Sequence, residues 1–167
     1  MNANPASFAR AQGDRCRLVI EVFGIPGPQG SKRFVGVRGG RGLMIESSAK
    51  VKPWREAVKW AAREAMDRAD ITAPLDGALR VRMVFTLPKP KSAPKTRVTF
   101  PDRKPDGSKL QRSTEDALTD AGVWTDDARV VEWIGAKRYP GEGDGALSAP
   151  GVLITIDAMA MPLGLYA

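Results

Sequence analysis

Apolar and polar positions alternate along residues 78–87, with Leu79, Val81, Met83 and Phe85 on one side and Arg80 and Arg82 on the other. A period of two marks a strand with one buried face. Residues 17–23, 128–139 and 151–158 are rich in β-branched and apolar side chains and also predict strands. Residues 31–37 and 43–45, joined by a glycine-rich tip carrying Arg38 and Arg41, predict a hairpin. Two stretches switch to helical spacing. Residues 49–69 place Val51, Trp54, Val58, Ala61, Ala62 and Ala65 on one face, with Ser47 or Ser48 as a cap and Pro53 in the first turn. Residues 108–120 do the same with Leu110, Thr114, Ala117, Leu118 and Ala121, and Gly122 follows as a stop signal. Ser108-Lys-Leu-Gln111 also fits a capping box.

These elements predict an α/β (α+β) fold: a single domain with one mixed β-sheet of about five strands and two main helices. The expected layout is a flexible lead-in over residues 1–14, a domain over 15–160 and a short apolar tail over 161–167 that packs or helps a dimer. Within the domain, residues 88–105 stand apart. Pro88, Pro90, Pro94, Pro101 and Pro105 alternate with Lys89, Lys91, Lys95, Arg97, Arg103 and Lys104, and Asp102 is the only acid there. Such a segment forms no helix and predicts an extended basic arm.

Composition narrows the chemistry. The chain has 26 basic and 19 acidic residues, a net charge of +7, which favours a polyanionic partner held through phosphate contacts. There is no histidine, so Ser-His-Asp and Cys-His pairs and His-ligated zinc are excluded. The single cysteine, Cys16, leaves no intrachain disulfide. No apolar run reaches membrane-spanning length, so no membrane partner is expected and a cytoplasmic location follows by default. Catalysis, if present, must use carboxylates, Lys, Arg, hydroxyls or a metal.

The densest cluster of such groups is the stretch around the second helix. Asp106 lies just before it, and Asp126 and Asp127 lie just after it. The run Pro105-Asp106-x-x-Lys109-Leu-x-Arg112-x-x-x-Asp116-Ala-Leu-Thr-x-Ala-Gly122-x-Trp124-x-Asp126-Asp127-x-x-Val130 resembles the signature of the RusA family of Holliday junction resolvases. Weaker similarity runs upstream through Pro28-Gln-Gly-Ser-Lys32 and Glu46-Ser-Ser-x-Lys-Val-Lys-Pro-Trp54-Arg55. The resemblance implies a metal-dependent endonuclease that resolves four-way DNA junctions by paired nicks in recombination and repair. It further implies a homodimer, a phage or prophage origin within a bacterial host, and Mg²⁺ as cofactor with Mn²⁺ as a substitute.

By that resemblance Asp106, Asp126 and Asp127 are the metal ligands and Arg112 assists catalysis. Ser108 stands where the family's D-x-D pattern has its second aspartate, which leaves open a chain that binds junctions without cutting them. Expected DNA contacts are Lys32 and Arg33 at the hairpin, Lys50, Lys52 and Arg55 on the first helix, Lys89, Lys91, Lys95, Arg97, Arg103 and Lys104 on the arm, and Lys109. The aromatics Trp54, Trp60, Trp124 and Trp133 mostly fall at apolar, core-like positions, which speaks against a module that stacks single-stranded bases.

Overall fold

The structure, a computed structural model, describes residues 17–159 other than 31, 40, 47 and 48, and for the hairpin strands the backbone alone. The elements in chain order are β1 (Arg17–Phe23), β2 (Lys32–Arg38), β3 (Arg41–Glu46), α1 (Val51–Arg68), β4 (Leu79–Thr86), α2 (Gly107–Ala121), a short 3₁₀ turn (Asp127–Arg129), β5 (Val130–Arg138) and β6 (Gly151–Ala158). The expected lead-in and tail lie outside the described residues. The sheet has four strands in the order β1-β6-β4-β5, not about five, because β2 and β3 pair only with each other. The fold is a single mixed α+β domain.

β4 pairs antiparallel with β6 and parallel with β5. A parallel neighbour requires a crossover, and the segment from residue 87 through α2 supplies it. α1 and α2 cover one face of the sheet. Leu79, Val81, Met83 and Phe85 of β4 meet Ile154 and Ile156 of β6, Val58 and Ala62 of α1, and Leu110 and Leu118 of α2 in one core. The alternation in β4 follows the expectation, with two additions. Val84 and Thr86, on the opposite face, are buried too, because the loop after β5 folds back there: Asp144 pairs with Arg82, and the Leu147 amide donates to Thr86 Oγ1 at 2.9 Å.

Local physics explains both helices. α2 buries Leu110, Ser113, Thr114, Ala117 and Leu118, and Gly122 closes it in the left-handed conformation at φ 82°. Asp106, not Ser108, is the N-cap residue, so Ser108 lies inside the first turn. The capping box is not formed: Gln111 Nε2 donates to Glu115 Oε1 at 3.0 Å instead of reaching back. α1 buries the face expected from its spacing, but its cap position is Lys50, with no side-chain cap bond. Ser47 and Ser48 lie outside the described residues.

The loop between β1 and β2 ties both helix starts together. A Cβ at Gly27 would sit 2.4 Å from the Lys50 carbonyl oxygen, so only glycine allows this approach. Ser113 Oγ donates to the Gly27 carbonyl at 2.6 Å, and the Gln29 amide donates to the Lys109 carbonyl at 2.9 Å. The hairpin therefore leaves the domain beside the N-terminus of α2.

Two tryptophans depart from expectation. Trp54 and Trp124 are buried, but Trp60 is 68% exposed and Trp133 is 50% exposed. Trp60 falls on the solvent side of α1, and Trp133 lies on the outermost strand, where α2 covers it only in part. Core-like spacing does not say whether a second layer covers the position.

Candidate functional site

The side chains of α1 and α2 meet along a polar seam above the core. Trp54 Nε1 donates to Thr114 Oγ1 at 3.1 Å, which fixes the pair of helices. One residue on, the Arg55 guanidinium reaches Asp120 at 2.7 Å and Asp116 at 3.5 Å. Arg55 is thus held by carboxylates rather than presented as a free DNA contact. Beyond Gly122 the chain turns back through Trp124, whose Nε1 donates to Thr119 Oγ1 at 2.7 Å. That return places Thr125, Asp126 and Asp127 in an open cleft with Arg55, Asp116, Thr119 and Asp120. Asp126 Oδ1 accepts from the Ala128 amide at 2.7 Å and so starts the 3₁₀ turn.

Asp116 and Asp120 are not among the site residues expected from sequence. A signal for them exists: they lie four residues apart on the polar side of α2, toward its C-terminal end, where the helix dipole disfavours anions. Glu115, on the flank of the same helix, is half-buried, accepting from Trp133 Nε1 at 2.6 Å and from Gln111. Burial pushes its carboxyl above the ordinary value, with its two donors opposing and the nearby Asp127 and Asp116 charges adding to the rise. A raised folded value means stability is lost as pH climbs from the ordinary carboxylate value through the folded one. Glu115→Gln keeps an acceptor for both donors and removes the charge. It should raise the melting temperature at pH 7–8 by about 1–3 °C, with the gain absent at pH 4, as read by thermal unfolding.

Asp106 sits elsewhere. It opens α2, 3.5 Å from Lys109, while Asp126 and Asp127 share their cleft with residues of the last two turns. At a rise of 1.5 Å per residue the two groups are separated by roughly 15–20 Å along the helix. Among the described residues, no three Asp, Glu, His or Cys side chains are gathered as a metal ion would require. Asp126 has one oxygen engaged, and Arg55 already spans Asp116 and Asp120.

At the Asp106 end, α2 offers the free amides of its first turn, the positive end of its dipole and exposed Lys109 and Arg112. Ser108 is exposed there. β5 runs back toward this end, and Lys137 Nζ donates to the carbonyls of Arg103 (2.9 Å) and Pro105 (3.2 Å), anchoring the arm just before Asp106. The arm has no regular structure and is clipped down. Lys89 pairs with Glu142 and lies 5.8 Å from the Tyr139 ring centre, and the Thr99 amide donates to Glu142 Oε2 at 3.0 Å. Lys89 is therefore a structural contact, whereas Lys91, Lys95, Arg97, Arg103 and Lys104 are exposed. Lys50 and Lys52 are exposed at the start of α1, beside the same loop. The side chains of Lys32 and Arg33 lie outside the described residues.

A basic arm, an exposed helix start with Lys109 and Arg112, and an open carboxylate cleft are the charged features that this α+β domain presents. The chain belongs to the endodeoxyribonuclease RusA family, whose model matches residues 24–148, most of its length. No curated protein matches this chain. Among the described residues, no helix is long and apolar enough to cross a membrane.

Proposed function

We propose that this protein is a Mg²⁺-dependent, structure-selective endonuclease that nicks four-way DNA junctions as a homodimer, with Asp106, Asp126 and Asp127 as its essential carboxylates. The observation that carries this reading is the helix start itself. Asp106 and the free amides of the first turn lie at the positive end of α2, with the exposed Arg112 in the second turn, inside the family match. The amides and Arg112 bind and orient a strand phosphate there and offset the charge that develops on its oxygens. A divalent ion, magnesium or manganese in its place, supplies water activation and charge neutralisation when bound to such carboxylates. The arm cations and Lys50 and Lys52 hold flanking phosphates, which position the DNA without reading its sequence.

Dimerisation accounts for the separation of the acids. β5 is one of the two edges of the sheet, β1 being the other, and Val131, Trp133 and Ile134 are exposed on it, the kind of unpaired apolar edge that solitary domains avoid. β5 runs antiparallel to α2, since Trp133 meets Glu115 while Lys137 meets residues 103 and 105. A two-fold pairing of β5 edges brings the Asp106 end of one subunit to the cleft holding Asp127 of the partner subunit. Each composite site then takes its acids from both chains.

The test is cleavage of a synthetic four-way junction in Mg²⁺ against a linear duplex of the same sequence. Symmetrical nicks confined to the junction are expected, and an absence of junction binding would end this reading. A second reading, a junction-binding protein that does not cut, is favoured by Ser108. It predicts salt-sensitive junction binding with no nicking at any divalent concentration.

A further inference from the structure

We infer that Phe100, with Val98 beside it, is a stacking platform for an unpaired DNA base at the branch point, carried on the ordered arm next to the Asp106 end. The inference rests on the junction reading above and extends it to the feature that tells a junction from a duplex.

The arm is immobilised where it matters. On one side of Phe100, the Thr99 amide is bound to Glu142. On the other, the Asp102 amide donates to the Phe100 carbonyl at 2.9 Å, Pro101 is buried, and Lys137 holds the Arg103 and Pro105 carbonyls. A segment pinned this closely would ordinarily turn its apolar side chains inward. Instead, Phe100 is 65% exposed and Val98 is 60% exposed, while the neighbouring Thr99 and Pro101 are the ones turned in.

The surroundings fit a nucleobase better than a protein surface. The Arg138 guanidinium carbon lies 5.6 Å from the Phe100 ring centre, so the ring is flanked by a cation and has open area left for a second planar group. Arg97 and Arg103 bracket the pair, both exposed. An apolar ring set among cations matches a flat base attached to a phosphate backbone, and it mismatches an apolar protein partner, whose docking would bury those charges. Arg138 also follows Lys137 directly on β5, so the platform and the anchor of the Asp106 loop share one strand end. A fully paired duplex keeps its bases stacked and presents none to Phe100. At a branch point the continuous stack is interrupted, so a base there leaves its pair at lower cost than one inside a duplex.

The test uses the full-length protein and a four-way junction carrying 2-aminopurine at the branch point, in buffer without divalent cations so that nothing is cut. Binding of the unaltered protein should raise the fluorescence as the base leaves its neighbours. Phe100→Ala should abolish most of that rise and lower the preference for junction over linear duplex about 10-fold, with duplex affinity unchanged. Phe100→Trp should restore both. Because the ring is exposed, both variants should melt with the unaltered protein, which thermal unfolding checks. The inference is overturned if Phe100→Ala keeps the signal and the preference, or if its only effect is a change in oligomeric state, which would make the ring a contact between copies. Should the unaltered protein show no preference for the junction at all, the junction reading itself fails and takes this one with it.

Discussion

Asp127→Asn is expected to lower junction nicking by about 10²-fold or more while leaving junction affinity unchanged or slightly tighter. The side chain lies in the open cleft, and the cap of the 3₁₀ turn is made by Asp126, so the substitution removes a charge without disturbing the fold. Removing a negative charge near a phosphate does not weaken binding, so a nicking loss with intact binding separates catalysis from DNA contact. The split arrangement adds a sharper expectation. Asp106→Asn should be equally inactive, yet the two variants mixed and allowed to exchange subunits should recover about one quarter of the unaltered activity. Half of the dimers are then mixed, and each carries one intact composite site and one doubly altered one. Recovery of nothing, from subunits shown by mass to have exchanged, would rule out a site shared across the two-fold.

Ser108→Asp is expected to raise the nicking rate about 10²-fold. The position is exposed in the first turn of α2, close to Asp106, and adds a carboxylate to the end of the site that holds only one. An anion there is favourable to the helix dipole by about 0.3–1 kcal/mol, so the variant should fold at least as well as the parent. The serine does not form the local cap its sequence suggests, so little is lost on replacing it. Equal nicking by parent and variant would show that the hydroxyl suffices. Nicking by the variant alone would make junction binding the parent's own activity.

The sequence by itself determined the elements of this protein and the chemistry available to it. The strand faces of β4, the stripe of α2 and its stop at Gly122 were legible because they follow from the period of neighbouring residues and from one residue's backbone freedom. The lack of histidine and the excess of cations restricted the reaction class before any fold was known. The family run named Asp106, Asp126, Asp127 and Arg112 together because it spans one contiguous stretch.

What only the tertiary structure decided depends on residues far apart in the chain. Arg55 reads as a DNA contact until Asp116 and Asp120, more than sixty residues later, take it up. Lys89 reads as part of a solvated arm until Glu142, 53 residues on, clips it. Trp60 and Trp133 follow apolar spacing, but exposure depends on whether another layer lies above them, and spacing carries no record of that. The distance between the acids at the two ends of α2 is likewise a property of the folded chain. Adjacency in a motif can arise from a helix that holds its ends apart, and here the rigid length of α2 sets that separation.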